Sequence, residues 1–192
     1  IRSLYLLPIG VALPIATVIW GLMLDPYQGL VNGIIGVFGI PQQPFLVSES
    51  QALWSIIAIA TWKGVAFWML FLLAGLEDIP SQYYEAAQID GVKPFQKFRY
   101  ITLPLLKRTI LFVFVADTAA NFVLMVPMII LTKGGPMQST NVLVYEAYRS
   151  GFYYQDWGRS LSIISILTII TLIVIGFQLL FLGDSSGEKK RL

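Results

Sequence analysis

Four long stretches of apolar residues, almost free of charge, constrain the fold of this chain more than any other feature. They cover about residues 3–24, 52–75, 109–132 and 160–183. Each has the roughly 20 residues that an α-helix needs to cross a ~30 Å hydrocarbon core. Lys63 is the one charge in the second stretch, and Asp117 is the one charge in the third. The pattern predicts an all-α polytopic membrane protein, with four transmembrane helices in this chain.

The overall composition indicates the same environment. Of the 192 residues, 56% are hydrophobic and 12% are charged, whereas soluble domains carry roughly 25% charged residues. A soluble fold of this length cannot bury that much apolar surface, so we expect lipid to cover part of it. We interpret residues 1–192 as a single transmembrane domain. The net charge of +2 gives no reason to expect nucleic acid.

The residue counts also exclude several kinds of chemistry. The chain has no His and no Cys, so the common zinc, haem and iron–sulfur ligand sets cannot be assembled. Ser-His-Asp and Cys-His nucleophiles are excluded for the same reason. An intramembrane aspartyl protease needs two carboxylates that meet in the bilayer, and only Asp117 lies within a predicted span. We therefore predict no metal site and no catalytic residues here.

A fifth uncharged stretch, residues 26–48, differs from the other four. It contains four glycines and three prolines, which would leave backbone groups without partners in lipid. A short helix at the membrane interface, near residues 30–38, fits this composition better. A fifth transmembrane span remains the alternative.

Lysine and arginine are distributed unevenly between the two faces of the membrane. Positive charges favour the cytoplasmic side of short loops. With four spans, nine positive charges lie on one face and three on the other. The nine are Arg2, Lys93, Lys97, Arg99, Lys107, Arg108, Lys189, Lys190 and Arg191, and the three are Lys133, Arg149 and Arg159. This distribution predicts that the loop 76–108 and the C-terminus are cytoplasmic, although a fifth span would move Arg2.

The predicted cytoplasmic loop has signals for two short helices joined by a sharp turn. Ser81 can cap the first helix, and Glu85 is expected near its positive end. Gly91 can adopt a positive φ and end that helix, and Pro94 suits the first turn of a second one. The sequence thus predicts an exposed helix–turn–helix elbow. Such an elbow is better suited to docking a partner than to serving only as a linker.

This loop also carries a family resemblance. The run Glu85-Ala86-Ala87-Gln88-Ile89-Asp90-Gly91, followed by Ile101-Thr102-Leu103-Pro104, resembles the EAA motif of ABC importer permeases. The run Leu131-Thr132-Lys133-Gly134-Gly135-Pro136 and the segment 145–152 resemble the carbohydrate-uptake branch, similar to the larger permease of maltose transporters. These matches cover essentially the whole chain.

The resemblance implies a set of partners and roles. The elbow would be the coupling helix, with Glu85, Ala86, Ala87, Asp90 and Gly91 contacting an ATPase subunit. The expected complex contains two ATP-binding cassette subunits, a second and different permease chain, and an extracytoplasmic substrate-binding protein. ATP and Mg would be bound by the ATPase subunits, because this chain has no phosphate-loop motif, and it would have no cofactor of its own. Permeases of this type have six or more spans in the cell membrane, so we expect further helices before Ile1.

Polar residues within the spans are candidates for a substrate pathway. A charge in mid-bilayer costs about 3 kcal/mol or more, so it usually faces a bundle interior or a water-filled path. Lys63 and Asp117 meet this description, and Asn121 shares a helix face with Asp117. We predict that these three residues line a path for a sugar or oligosaccharide that moves by alternating access. A structural ion pair between Lys63 and Asp117 is an equal alternative.

Three further points remain open in the sequence. Pro127 is expected to interrupt the third span. The aromatic loop 133–157 can meet the substrate-binding protein or form an interfacial belt. The solute itself can be a sugar or another molecule, such as glycerol phosphate, phosphate or an amino acid, and a lipid-embedded structural subunit is the remaining alternative.

Overall fold

The computed structural model describes residues 8–183, and over this range the chain consists of helices and loops without strands. The α-helices are α1 (Leu13–Met23), α2 (Leu30–Val37), α3 (Ala52–Glu77), α4 (Ser81–Ile89), α5 (Pro94–Lys97), α6 (Leu103–Phe122), α7 (Leu143–Tyr148) and α8 (Trp157–Gly183). A 3₁₀ turn at Phe45–Val47 and π-helical turns at Phe98–Thr102, Met128–Thr132 and Arg149–Tyr153 complete the secondary structure. The prediction of an all-α fold is confirmed.

The chain divides into two compact units. The first contains residues up to 66 together with 120–170, and the second contains 67–119 together with the chain from 171 onward. The elbow and most of α6 therefore belong to the second unit. The loop between α6 and α8 belongs to the first.

Two helices of the described range are long and apolar enough to cross a membrane. They are α3, with 26 residues, and the Trp157–Leu180 part of α8, with 24 residues. At a rise of 1.5 Å per residue, a helix of 26 residues is roughly 39 Å long, which exceeds the ~30 Å hydrocarbon core. The second predicted span lies within α3 and the fourth within α8.

The first predicted span is not one continuous helix. Residues 8–10 are helical, the chain bends at Val11, and α1 starts only at Leu13, with Pro14 in its first turn. Proline has no N–H, and its ring clashes with the carbonyl four residues earlier, so a helix cannot continue smoothly through Pro14. The prediction of a single helix over 3–24 is wrong for the described part. Residues 3–7 lie outside the described range.

The third predicted span is also divided. Helix α6 starts at Leu103 and ends at Phe122, and residues 123–125 are not helical before the chain turns again at Pro127. A proline is tolerated in a first turn, where its missing N–H would have no helical partner. The interruption expected at Pro127 is thus present. A continuous helix over 109–132 is not formed.

Asn32 organises the glycine- and proline-rich segment between α1 and α3. Its side-chain amide donates to the carbonyls of Pro26 (3.0 Å) and Gln43 (2.9 Å), and its oxygen accepts from the Gln43 amide (2.8 Å). A Cβ at Gly29 would lie 2.3 Å from the Asp25 carbonyl oxygen, so only glycine fits there. The short helix expected near residues 30–38 corresponds to α2.

We predict that Gly75→Ala destabilises the second unit by about 1–3 kcal/mol, the usual cost of overpacking. A Cβ at Gly75 in α3 would lie 2.5 Å from the Thr109 hydroxyl and 2.9 Å from Leu106 Cδ1 in α6. The measurement is the thermal midpoint of the purified protein in detergent. Gly176→Ala in α8 is the matched control, because its Cβ meets nothing within 4 Å. Equal midpoints for the two variants would contradict this packing.

Candidate coupling surface and substrate pathway

The elbow, which we define as α4, α5 and the turn between them, starts without a side-chain cap. Pro80 occupies the N-cap position, and Ser81 is already the first helical residue. The predicted capping role of Ser81 is therefore wrong. Glu85 is the fifth residue of α4 and lies beyond its first turn. The expected position of Glu85 at the positive end of the helix is therefore not observed. Glu85 is instead exposed on the surface of the elbow.

The turn of the elbow depends on Gly91. Its φ is +69°, in the left-handed region that favours glycine. Its N–H donates to the Gln88 carbonyl (3.2 Å), and the Val92 N–H donates to the Ala87 carbonyl (3.0 Å). This pair of bonds is the Schellman motif, which satisfies the last carbonyls of a helix. The predicted role of Gly91 in ending α4 is confirmed, and Pro94 begins α5 as expected.

The elbow is anchored to the base of α6. The Tyr84 hydroxyl is 3.0 Å from the Thr102 hydroxyl, at the π-helical turn that leads into α6. Ala87 is 4% exposed and is the buried residue of α4. The other predicted coupling residues, namely Glu85, Ala86, Asp90 and Gly91, are exposed. One residue of the predicted set is thus buried, and four are exposed.

Large apolar side chains are exposed beside these four residues. Ile89 is 87% exposed and Phe95 is 74% exposed, and Tyr83, Phe98 and Tyr100 are also exposed. An open groove of about 420 Å³ is lined by Tyr83, Ala86, Ala87, Asp90, Val92, Gln96, Tyr100 and Ile101. Exposed apolar patches of this kind mark interaction surfaces. The elbow therefore has the surface chemistry of a docking site.

Asp117 lies beside an aromatic cluster in the second unit. Its carboxylate accepts a hydrogen bond from the Trp68 indole N–H at 2.5 Å. Trp68 packs against Phe67 (ring centroids 4.8 Å apart) and Phe71 (5.8 Å), and Phe71 packs against Phe112 (5.5 Å). A carboxylate beside aromatic rings can bind a sugar, because hydroxyls donate to the carboxylate and ring faces stack. Asn121 lies one turn further along α6 and is exposed.

Two polar residues near Asp117 were not predicted from the sequence. Trp68 was not predicted, because a tryptophan in an apolar stretch is counted as hydrophobic although its indole N–H is a hydrogen-bond donor. Gln178 in α8 donates to the Thr118 hydroxyl at 2.7 Å, and it is 7% exposed. The available signal was that Gln178 is the one amide side chain in the apolar stretch 160–183.

Lys63 has a different set of partners. Its ammonium group donates to the backbone carbonyls of Pro8, of Ile9 at 3.3 Å and of Val11 at 2.5 Å, all in the first unit. Lys63 and Asp117, the two charged residues within the predicted spans, thus each have a polar partner within their own unit. Whether Lys63, Asp117 or Asn121 touches a solute stays a prediction.

The loop after α6 is held by its own hydrogen bonds. The fully buried Thr140 hydroxyl lies 2.7 Å from the Thr132 hydroxyl and donates to the Gly135 carbonyl at 2.8 Å. Gly134 has a φ of +85°, and a Cβ there would lie 2.9 Å from the Tyr145 ring. Gly134 is therefore required by backbone geometry and close packing.

A charged network stabilises the next part of this loop. The Glu146 carboxylate is 2.7 Å from Arg159 and 3.7 Å from Arg149. Arg149 also donates to the Tyr154 hydroxyl at 2.5 Å, and this hydrogen bond raises the pKa of its guanidinium group. Burial raises the pKa of the neighbouring Tyr145 phenol. Both groups therefore keep their usual protonation at neutral pH.

Comparison with known proteins identifies the class. Residues 3–184 match the family of binding-protein-dependent transport system inner membrane components. The match covers nearly the whole chain, so the chain belongs to this family and is an inner-membrane transport component. The resemblance based on the EAA motif is confirmed.

Two similar proteins are named as permeases of transport systems. The chain is 35% identical over 181 residues to the sn-glycerol-3-phosphate transport system permease protein UgpA of Agrobacterium fabrum, covering 94% of this chain and 61% of that protein. It is 33% identical over 180 residues to UgpA of Salmonella typhimurium, covering 92% and 61% respectively. The chain thus spans about three fifths of the length of these curated relatives.

A solved structure shares the fold. It is a bacterial alginate ABC transporter in complex with an alginate pentasaccharide-bound periplasmic protein. The TM-score is 0.82 at 23% identity, covering 92% of this chain and 62% of the matched chain. The chain and the matched transporter chain therefore share a fold.

We predict that Gly91→Ala loosens the elbow without a steric clash. A Cβ at Gly91 meets nothing within 4 Å, so the cost is that of a left-handed alanine, roughly 1–2 kcal/mol. This should speed exchange of the Val92 amide about five- to thirtyfold in a hydrogen-exchange measurement. Gly91→Asn should show a smaller change, because asparagine tolerates positive φ. Unchanged exchange in both variants would argue against the left-handed turn.

Proposed function

We propose that this chain is the transmembrane permease of an ATP-driven, binding-protein-dependent importer that carries a sugar or oligosaccharide. Family membership supports the transport role. The observation that carries the proposal is the elbow, whose Schellman turn at Gly91 exposes Glu85, Ile89 and Phe95 on one docking surface. A solvated connecting loop would have no need to expose large apolar side chains in this way.

The proposed orientation places the elbow in the cytoplasm. The loop 76–108 carries five of the chain's thirteen positive charges, and the positive-inside rule favours the cytoplasmic side for such a loop. The C-terminus, which lies outside the described residues, would be on the same side. The Thr132–Pro136 loop and the Glu146 network would then face the opposite side, where a substrate-binding protein delivers its solute.

The proposed partners follow from the same surface. Two ATP-binding cassette subunits would bind ATP and Mg and dock on the elbows of this chain and of a second, different permease. An elbow with exposed apolar residues and an exposed carboxylate suits a cleft that is apolar at its centre and polar at its rim. ATP hydrolysis would take place on those separate subunits.

The proposed mechanism is alternating access driven through α6. The Tyr84–Thr102 hydrogen bond and the buried Ala87 tie the elbow to the base of α6. Asp117 lies 15 residues beyond Thr102 on the continuous path into this helix, which corresponds to roughly 22 Å at 1.5 Å per residue. A displacement of the elbow by closing ATPase subunits would therefore move Asp117 with it, since both lie in the second unit. Hydrolysis would then return the helix to its first position.

The proposed solute is one that hydroxyl hydrogen bonds can recognise. Asp117 and the rings beside Trp68 offer a hydrogen-bond acceptor and ring faces that suit a sugar, while Lys63 is the least suited of the three predicted pathway residues. A second candidate is glycerol 3-phosphate, which is favoured by the names of the curated relatives. Competition between labelled oligosaccharides and labelled sn-glycerol 3-phosphate in vesicles containing the complex would separate the two.

We predict that Asp117→Asn lowers solute uptake roughly tenfold, because a hydrogen bond to a charged group is worth about 1.5–3 kcal/mol. The substitution keeps the volume of the side chain and an oxygen that can accept from Trp68, so the helix should remain folded. Uptake of oligosaccharide and of sn-glycerol 3-phosphate is measured in vesicles containing the complex. Asp78→Asn is the matched control, since it makes the same carboxylate-to-amide change on an exposed residue outside the predicted spans. Normal uptake by Asp117→Asn in an intact complex would remove Asp117 from the pathway.

We predict that Glu85→Lys releases the ATPase subunits. Reversing an exposed charge on the elbow should weaken their retention on the order of tenfold or more, since 1.4 kcal/mol of lost affinity is a factor of ten. The measurement is the amount of ATPase that co-purifies with the tagged permease from its membrane. Glu77→Lys makes the same charge change on an exposed residue at the end of α3. Loss in both variants, or in neither, would argue against the elbow as the docking site.

A further inference from the structure

The break before α1 leaves backbone carbonyls that need donors. Residues 8–10 are helical, and Val11 and Ala12 are not. The last carbonyls of any helix have no intrahelical donor, and Pro14, in the first turn of α1, has no N–H to offer. Water would satisfy such groups at a surface. Within hydrocarbon they must find a partner in the protein.

The ammonium group of Lys63 supplies those donors. It has three N–H groups, and it donates to three carbonyls, those of Pro8, Ile9 and Val11. The number of donors matches the number of acceptors. A positive charge at the end of a helical segment also complements the negative end of its dipole. The carbonyls in turn solvate a charge that lipid would not.

The residue next to Lys63 holds the other side of the break. The Trp62 ring packs edge-on against Trp20 of α1, with the ring centroids 5.5 Å apart. Two consecutive residues of α3 therefore contact the chain before and after the bend. This arrangement fixes the direction of both arms, which a single contact cannot do.

We propose that Lys63 is a positioning residue, whose ammonium group donates to the carbonyls that the break before α1 leaves without helical amide partners and holds the first membrane segment in its broken conformation. All three N–H groups of Lys63 are used by the backbone, so none is left for a solute hydroxyl. The inference concerns the shape of the segment and does not depend on the solute or on the ATPase partner. It assigns Lys63 a role different from the pathway role predicted from its sequence position.

The test is a double-mutant cycle between Lys63 and Pro14. Lys63→Met removes the donors, and Pro14→Ala restores an N–H and removes the ring clash. Because the chain has no cysteine, spin labels can be attached to cysteines introduced at Gly10 and Leu22, which are both exposed. The distance between the labels is measured by pulsed electron paramagnetic resonance in the full-length protein within its complex, together with the thermal midpoint. A continuous helix would separate the two Cα atoms by roughly 18 Å.

We expect the protein with native Lys63 and Pro14 to give one narrow distance that differs from the continuous-helix value. Lys63→Met should broaden the distribution and lower the thermal midpoint by several degrees. In the Pro14→Ala background, the same substitution should lower the midpoint by much less, and the distance should approach that of a continuous helix. Lys63→Arg, which keeps the charge and the donors, should retain the narrow distance.

Three results would overturn the proposal. The first is an equal loss of thermal midpoint from Lys63→Met in both backgrounds. The second is an unchanged distance distribution in Lys63→Met, with or without a change in the KM for uptake. The third applies if Lys63→Met alone cannot be purified, and it is an equal loss of the double variant. Recovery of folded protein in the double variant would instead support the proposal.

Discussion

Hydrocarbon offers no hydrogen bonds, so backbone groups left open by an interrupted helix in a membrane must find a polar partner within the protein. The three carbonyls at the break before α1 are matched by Lys63. In the turn-rich segment between α1 and α3, the side chain of Asn32 forms hydrogen bonds with backbone groups of Pro26 and Gln43. The chain can therefore leave the helical conformation at these two places.

The second unit contains the contacts that would transmit a movement of the elbow to Asp117. The elbow is tied to α6 through Tyr84 and Thr102, and α6 carries Asp117 beside Trp68. A helix with its backbone bonds intact is stiff along its axis, so force applied at the exposed elbow is passed on rather than absorbed. The close contact of Gly75 with Leu106 and Thr109 lets α3 share that movement. The elbow and Asp117 thus belong to one packed unit.

The accuracy of the sequence predictions differed between elements for physical reasons. Helices α3 and α8 were predicted well, because apolarity over more than twenty residues leaves few alternatives in lipid. The elbow was predicted in its turn, where Gly91 and Pro94 have strong backbone preferences, but not at its start, where Pro80 rather than Ser81 takes the cap position. The first span was predicted as a continuous helix because hydropathy measures apolarity and does not register where backbone bonds are broken. Pro14 was the signal that was overlooked, whereas Pro127 was read correctly.

By itself, the sequence determined that the chain is helical, membrane-embedded and built around an exposed elbow, and its EAA motif identified the family. These properties depend on local composition and on residues close together in the chain. The tertiary structure alone decided the partners of the two charges within the predicted spans, since Lys63 and residues 8–11 are more than fifty positions apart and Trp68 and Asp117 are forty-nine apart. A charge in a membrane has to find some partner, but which one depends on how the helices pack. That choice is made by the fold, because many pairings are compatible with the same hydropathy pattern.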